Sequence, residues 1–286
     1  MLATVLGRAG LARRKASLLL RDPFLAVALV VLGAAVAGAV FADVLAPYSP
    51  MQTSLRFRAR PPSGQFLLGT DEQGRDILSR ILFGMRLTLA TGLFGLAIGM
   101  TVGSLIGFAA AYFRQVDNFL MRCVDVILSF PAILLGLAIA GATGPGLTGI
   151  VIALAVSTIG PAARIARSSA LSIVSLDYVT GARMIGLGNI AILARHILPN
   201  CLPALVVYGT LRFGQVILLG ASLSFLGLGI APPVAELGVM VSQGRSLLLT
   251  APHVSLIPCG AILLLVLSLN IIGDALRDAL DPTMRD

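Results

Sequence analysis

Hydrophobic residues along the chain are gathered into five long runs that contain no charged side chain. A helix needs roughly 20 apolar residues to cross the ~30 Å hydrocarbon core of a bilayer, and most of these runs are close to that length. Each run therefore predicts a membrane-spanning helix. The runs are Phe24–Phe41, Leu87–Phe113, Val126–Ala163, Phe213–Ala235 and Val254–Gly273.

The third run is too long for a single span, because at 1.5 Å per residue it would extend for about 57 Å. Its middle, Gly141–Gly149, has the sequence GATGPGLTG, and glycine and proline at this density are typical of a turn. We predict two spans joined by a tight turn, with a re-entrant hairpin as the alternative. The chain is then an all-α integral membrane protein with six transmembrane helices.

Composition agrees with this class, since 57% of the residues are hydrophobic and 12% are charged, whereas soluble domains carry roughly 25% charged residues. The formal net charge is +8, but the basic residues flank the apolar runs without interleaved aromatics. We therefore expect them to contact membrane lipid, with no nucleic acid as partner. The three cysteines form no CxxC pair or metal-ligand spacing, so no metal site is expected.

The distribution of Lys and Arg predicts which side each segment faces. With the N-terminus inside, the segments 1–23, 114–125, 164–200 and 274–286 together carry thirteen basic residues. The short outer turns near 141–149 and 230–253 carry only Arg245. Six more arginines lie in the loop 42–86, but a longer segment can be translocated despite its charge. We expect the N- and C-termini to be cytoplasmic, together with residues 164–200.

Catalytic signatures are lacking from the sequence. His196 and His253 have no acidic partner at helical spacing, and no HExxH, GxSxG or GxxxxGK[ST] sequence occurs. We therefore expect no enzyme activity and no ATP hydrolysis by this chain alone. An ion-coupled secondary carrier is one alternative, although the five runs contain no Asp or Glu of the kind that such carriers bury. A structural membrane scaffold is another.

A polar insert, Tyr178–Asn200, stands between two apolar tracts and has the sequence YVTGARMIGLGNIAILARHILPN. It predicts a short helix, Tyr178–Ile185, which Asp177 caps and which Gly186 and Gly188 end. The pattern indicates a helix-turn-helix with an exposed apolar face, which can lie on lipid or dock a soluble partner. A second set of apolar residues lies between this short helix and Pro199. It consists of Ile190, Leu193, Ile197 and Leu198.

The insert resembles the cytoplasmic coupling loop of ABC importer permeases. In that loop Glu-Ala-Ala is followed by three residues and a glycine, and then by about ten residues and an Ile-x-x-Pro-like end. Thr180-Gly181-Ala182 stands at Glu-Ala-Ala, with Thr180 in place of the acidic residue, Gly186 matches the glycine, and Ile197-Leu198-Pro199 matches the end. The resemblance implies that this segment docks on a separate ATP-hydrolysing subunit. It assigns that contact to Asp177, Tyr178, Thr180, Gly181, Ala182, Arg183, Gly186, Leu187, Ile197, Leu198 and Pro199.

Three further stretches are similar to the C-type permease subunit of dipeptide, oligopeptide and nickel ABC importers, and the resemblance covers nearly the whole chain. It implies the ABC type I importer permease fold. Residues 1–85 would form an N-terminal cytoplasmic segment, the first transmembrane helix and an external loop, and residues 86–286 a five-helix core with a coupling loop at 168–200. The stretches are LGTDEQGRDILSR at Leu68–Arg80, ASLSFLGLGIAPPVAELGVMV at Ala221–Val241 and LNIIGDALRDALDP at Leu269–Pro282.

The same resemblance implies a set of partners in the bacterial cytoplasmic (inner) membrane. They are a second homologous permease subunit, two ATPase domains and an extracytoplasmic substrate-binding protein. ATP and Mg would be bound by the partner ATPase subunits, and no cofactor is expected in this chain. The substrate would be a di- or oligopeptide, with nickel as the alternative.

Individual side chains carry three further predictions. Asp71 is expected to cap a short helix on the membrane or the permease mouth, and Arg277 to pair with Asp274 or Asp278 on a tail helix. Glycines at three- or four-residue spacing are expected to let another helix approach closely. They are Gly92, Gly95, Gly99, Gly103 and Gly107.

Arg212 is the one charged residue between Arg195 and Glu236. If the fifth span begins near Pro203, Arg212 lies about 13 Å along it, where a charge usually faces a cavity or a bundle interior. We expect Arg212 to line the translocation path. The alternative is that it reaches the cytoplasmic interface, or that the span begins near Phe213.

Overall fold

The computed structural model describes residues 22–280, and these residues are helical apart from loops and one isolated β-bridge between Thr70 and Asp76. A π-helical turn, Leu193–Ile197, joins the helix Asn189–Ile192 to the helix Leu198–Phe225. The α-helices are α1 (Pro23–Val40), α2 (Ala42–Leu45), α3 (Ile77–Tyr112), α4 (Arg114–Ser129), α5 (Ala132–Thr143), α6 (Leu147–Val174), α7 (Asp177–Met184), α8 (Asn189–Ile192), α9 (Leu198–Phe225), α10 (Leu237–Gly244) and α11 (His253–Leu280).

Five helical stretches are long and apolar enough to cross a membrane: α1, α3, α6, the continuous run Asn189–Phe225, and α11. Helices α4 and α5 meet the same criterion together, but they are bent by 91°. The bend lies at Phe130, whose extended backbone (φ −92°, ψ 135°) is the conformation that the following Pro131 imposes. Counted as one broken span, the pair completes the six predicted spans.

The long third run divides where the sequence predicted. Helix α5 ends at Thr143 and α6 begins at Leu147, and Gly144 and Gly146 between them have positive φ values of 84° and 145°. Non-glycine residues rarely adopt such backbone angles, so the two glycines make this tight turn accessible. The first half of the run contains the 91° bend, which is compatible with a broken span and with the predicted alternative of a re-entrant hairpin.

Two helix boundaries extend beyond the predicted ones. Helix α9, which contains the fifth apolar run, begins at Leu198, before Pro203 and Phe213, and has Pro199 in its first turn. The last helix, α11, continues to Leu280 instead of giving way to a separate tail helix. Within residues 22–280, Arg277 forms no ion pair with the two nearby aspartates.

The predicted glycine face is the contact between α3 and α6. A Cβ atom at Gly95, Gly99 or Gly103 would stand 2.6 Å from an atom of α6, and one at Gly107 would clash with the carbonyl oxygen of Ala163. Such distances exist only where two helix backbones approach closely. Gly92, the fifth glycine of the set, instead faces side chains of α9.

The prediction that Asp71 caps a helix was wrong. Asp76 is the N-cap of α3, and its carboxylate accepts hydrogen bonds from the Ser79 amide (2.8 Å) and hydroxyl (2.7 Å). No separate short helix precedes α3 in residues 60–76, because the apolar strip that begins at Ile77 is the first turn of α3 itself. The Asp71 carboxylate instead accepts a hydrogen bond from Arg75.

Helix α1 packs against α3 and α11, so residues 23–45 share a hydrophobic core with the helices that follow. Buried residues of this core include Ala39, Ile77, Ile217 and Leu265. A second core, formed around α6, holds the segment that resembles a coupling loop. The predicted N-terminal segment up to residue 21 and the tail after Leu280 lie outside the described residues.

Candidate functional site

Helix α7 forms the centre of the candidate site and follows directly after the long helix α6. It occupies Asp177–Met184, within one residue of the predicted range. Leu176 is its N-cap and no side chain caps the helix, so the predicted capping role of Asp177 was wrong. Asp177 lies in the first turn, where its negative charge favourably faces the positive end of the helix dipole.

Gly186 ends α7 as predicted. Ile185 is the C-cap, and Gly186 has a φ of 84°. The Gly186 amide donates to the Arg183 carbonyl (3.0 Å) and the Leu187 amide donates to the Ala182 carbonyl (3.1 Å). These two bonds form a Schellman motif, which requires the left-handed backbone that glycine adopts most easily. Gly188, which was expected to help end this helix, is instead the N-cap of α8.

One face of the loop is buried against its own chain. Val179 and Ala182 of α7 pack with Ile173 of α6, and Ile192 and Ile197 join the same core. Ala182 and Ile197 had been assigned to the partner contact, but they lie inside this core. Their side chains therefore hold the loop on α6, and other residues form the exposed face of the loop.

The opposite face is exposed and carries most of the assigned residues. Its largest apolar side chains were not assigned: Met184, Ile185 and Ile190 are 85%, 77% and 81% exposed. Helical phase could have revealed Met184, since it lies across the helix from the buried pair of Val179 and Ala182. Leu187 is half-buried, and the exposed assigned residues are Asp177, Tyr178, Thr180, Gly181, Arg183, Gly186, Leu198 and Pro199.

Polar contacts fix the edges of this surface. The Tyr112 hydroxyl at the end of α3 donates to Asn189 Oδ1 (2.8 Å), and the Arg183 guanidinium lies over the Tyr112 ring at 4.9 Å. On the other side, Asn200 Nδ2 donates to the Tyr178 hydroxyl (3.3 Å). We define the docking surface, named for the partner contact that the sequence resemblance implies, as the exposed side chains of α7, which include Met184, together with Ile185 and Ile190.

Two ion pairs join α6 to α4 next to the docking surface. Arg167 binds Asp117 through two hydrogen bonds of 2.7 and 2.6 Å, and Arg164 binds Asp125 at 2.7 Å. A bidentate arginine–carboxylate pair fixes geometry as well as charge. The pairs therefore connect α6, which leads into the docking surface, to the bent span.

Arg212 lies near the middle of α9. It is fourteen residues after the first residue of α9, or about 21 Å along the helix. Its guanidinium donates to Gln215 Oε1 (2.5 Å) and, across to α6, to the Ser157 carbonyl (3.1 Å). The side chain is half-buried, and its Nε has no hydrogen-bond partner among the described residues.

Residues 22–280 contain no group of three or more His, Cys, Asp or Glu side chains placed to hold a metal ion. The site offers an exposed apolar and polar surface fixed to a long helix.

Comparison with known proteins identifies the family. Residues 99–286 match the family described as binding-protein-dependent transport system inner membrane component. The chain is 45% identical over 250 residues to a putative peptide transport system permease protein of Brucella suis, covering 86% of this chain and 84% of the relative. It is 40% identical over 255 residues to the di/tripeptide transport system permease protein of Pseudomonas aeruginosa, with 87% and 84% covered.

A glutathione transport system permease protein of Pectobacterium atrosepticum is 44% identical over 225 residues, which cover 78% of this chain and 75% of the relative. Among solved structures, a chain of the MetNI methionine ABC transporter in an inward-facing conformation has a similar fold. Its TM-score is 0.60 at 20% identity, and the match covers 71% of this chain and 96% of that one. On this evidence the chain belongs to the family of binding-protein-dependent transport system inner membrane components.

Proposed function

We propose that this chain is one of two permease subunits of an ATP-driven importer for di- and oligopeptides. The observation that carries the proposal is the docking surface, which is exposed on one face and fixed to α6 on the other. The peptide substrate is supported by relatives at 40–45% identity whose names specify peptides, di/tripeptides or glutathione, itself a tripeptide. The chain is a membrane component and supplies no catalytic residues.

In this proposal, partner ATPase subunits bind ATP and Mg, and their closure pushes on the docking surface. Thr180 replaces the acidic residue of the family pattern, so the contact would rely more on the apolar side chains of Met184, Ile185 and Ile190. A push on α7 would be transmitted to α6, because only two residues separate the helices and the buried face of α7 packs on α6.

The transport path would lie between this chain and a second, homologous permease subunit. Arg212 would face it, since a guanidinium about 21 Å along a span would otherwise lie in hydrocarbon. Its half-buried guanidinium suits a transient contact with a peptide carboxylate. The substrate-binding protein outside the membrane would supply most of the selectivity.

The proposal also includes an orientation. The docking surface would be cytoplasmic, with both termini on that side, because the flanking segments carry most of the basic residues. The loop between α2 and α3 and the connection from α9 to α11 would then face outward. Single cysteines introduced at loop positions and labelled from one side would test this arrangement directly.

Gly186→Val tests the coupling. Valine at a φ of 84° costs roughly 1–2 kcal/mol and alters the end of α7. We expect uptake of a labelled dipeptide by reconstituted proteoliposomes to fall at least tenfold while ATP hydrolysis continues. A matched control is Gly227→Val, since Gly227 has a φ of 87° and equally open space around its α-carbon but lies at the far end of α9.

Equal loss of coupling in both variants would show that backbone strain, and not the docking surface, is responsible. Normal coupled transport by the Gly186→Val variant would remove the surface from the mechanism. Uptake that survives ATP depletion but is abolished by an uncoupler would contradict the importer itself. Nickel uptake in place of peptide uptake in the same vesicles would contradict the substrate.

A further inference from the structure

Three exposed arginines in the loop between α2 and α3 lack a carboxylate partner. Arg56, Arg58 and Arg60 form no ion pair with any acidic side chain of residues 22–280. The other three arginines of the segment 42–86 each lie close to an aspartate oxygen. The distances are 2.6 Å for Arg75, 3.4 Å for Arg80 and 2.8 Å for Arg86. The loop therefore presents an uncompensated positive patch.

Aromatic rings hold this patch in place. The guanidinium carbons of Arg56 and Arg60 lie 5.8 and 5.4 Å from the centroid of the Phe57 ring. Phe57 packs on the buried Phe66, and Phe66 on Tyr48, with 5.3 Å between ring centroids in each case. Two of the arginines are thus stacked on an aromatic column. We call Arg56, Phe57, Arg58 and Arg60 the arginine knuckle.

The backbone of the knuckle is fixed to the next turn of the loop. The Ala59 amide donates to the Asp71 carbonyl (2.8 Å), and the Arg60 amide to Thr70 Oγ1 (2.9 Å). The Thr70 amide donates in return to the Arg60 carbonyl (3.0 Å), and its hydroxyl to the Phe57 carbonyl. A surface ordered in advance loses little conformational entropy when it binds a partner.

A buried charge cluster connects the knuckle to the helices. The Asp71 carboxylate accepts from Arg75 Nε (2.6 Å) and lies 3.4 Å from Arg80 Nε. The Arg80 guanidinium donates to the Pro50 carbonyl (3.1 Å) and to the Pro233 carbonyl (3.2 Å) between α9 and α10. Both arginines are fully buried. These bonds therefore connect the knuckle to the start of α3 and to the segment between α9 and α10.

We propose that the arginine knuckle docks an acidic surface of the extracytoplasmic binding protein. This inference rests on the proposed function, which places the loop outside. Lipid is the less suitable occupant, because ring stacking and backbone hydrogen bonds hold the knuckle in a fixed arrangement, which attraction to a charged lipid surface does not require. Arginine combined with aromatic rings is instead the composition enriched at protein interfaces. An uncompensated basic patch outside also opposes the usual charge distribution of membrane proteins, and partner binding gives it a role.

The test measures how fast the extracytoplasmic binding protein associates with the full transporter, which is held in phosphatidylcholine nanodiscs. The triple variant R56E/R58E/R60E is expected to lower the association rate constant about tenfold at low salt and to weaken its salt dependence, because steering charges act mainly on association. Its thermal unfolding should match that of the wild type. Arg245→Glu is the control, since Arg245 is exposed near the same end of the molecule, and its rate should change less than twofold.

The possible failures are distinguishable. A wild-type transporter whose ATPase activity does not respond to the binding protein would contradict the proposed function. A responsive wild type together with an unchanged association rate in the triple variant would overturn the docking site alone. Loss of bound phosphatidylglycerol by that variant in mixed nanodiscs, with its association rate unchanged, would assign the knuckle to lipid.

Discussion

Replacing Gly103 with alanine should destabilise the protein by forcing α3 away from α6. The new Cβ would stand 2.6 Å from the Ile159 carbonyl oxygen and 2.7 Å from Ala162 Cβ. Ordinary carbon contacts lie near 3.5–4.0 Å, so the helices must separate by about 1 Å. The obstructing atoms belong to a helix backbone and to a Cβ, and neither can rotate away.

Two effects of opposite sign determine the size of this change. Overpacking a close contact costs typically 1–3 kcal/mol, whereas alanine is better than glycine inside a helix by up to about 1 kcal/mol. With the full gain in propensity the net destabilisation is about 0–2 kcal/mol, and relative to an unobstructed glycine-to-alanine change it is about 1–3 kcal/mol. Gly209→Ala is the matched control, because its Cβ would meet only Met100 Cε, at 3.7 Å. That variant keeps the gain in propensity without the clash and should be as stable as the wild type or more so.

Cys201 provides the assay. It is fully buried, whereas Cys123 and Cys259 are exposed, so a chain with the two exposed cysteines changed to serine reacts with a thiol-specific dye only when it unfolds. Gly103→Ala should shift the thermal transition in detergent downward by roughly 3 °C for each kcal/mol. A Gly103→Ala variant as stable as Gly209→Ala would refute the close contact between α3 and α6.

The remaining predictions concern two charged sites. Asp117→Arg and Arg167→Asp should each lower thermal stability. The double reversal should recover about 1–2 kcal/mol of that loss, because the pair is bidentate and only partly exposed. Additive losses in the double-mutant cycle would show that the two residues do not interact. Arg212→Gln should slow peptide uptake several-fold while ATPase subunits still bind, since it removes the charge and keeps hydrogen bonding. Unchanged uptake of both acidic and neutral peptides would exclude Arg212 from the path.

Residue type and spacing predicted the structural features that depend on local composition. The number of spans, the turn between Thr143 and Leu147 and the glycine face of α3 all follow from residue type and spacing, because lipid requires every backbone group to be satisfied within a helix. The 91° bend before Pro131 also had a local signal in the residue pair Phe130-Pro131. An uncharged run conceals such a bend, since hydropathy does not depend on backbone direction.

Sequence patterns do not reveal outcomes that depend on residues far apart in the chain. Arg75 and Arg80 were counted only among the arginines of the loop 42–86, yet both are fully buried because Asp71, Gln243 and the Pro233 carbonyl accept their hydrogen bonds. No sequence spacing relates residue 75 to residue 243. The same limit applies within the docking surface, where motif position assigned Ala182 and Ile197 to a partner although tertiary packing buries them.

Helix α6 joins the sites that the transport proposal needs. Its last turn leads into α7 after only two residues, its Arg167 holds α4 through Asp117, and its backbone packs on the glycine face of α3. The Ser157 carbonyl near its middle accepts a hydrogen bond from Arg212. A displacement of α6 along its axis would therefore move the acceptor of Arg212 while the rest of the side chain stays anchored on α9. Losing the Ser157 bond would leave that guanidinium nitrogen free to donate to a carboxylate in the path. The affinity of the path for a carboxylate would then depend on the position of the docking surface, without any contact between the two sites.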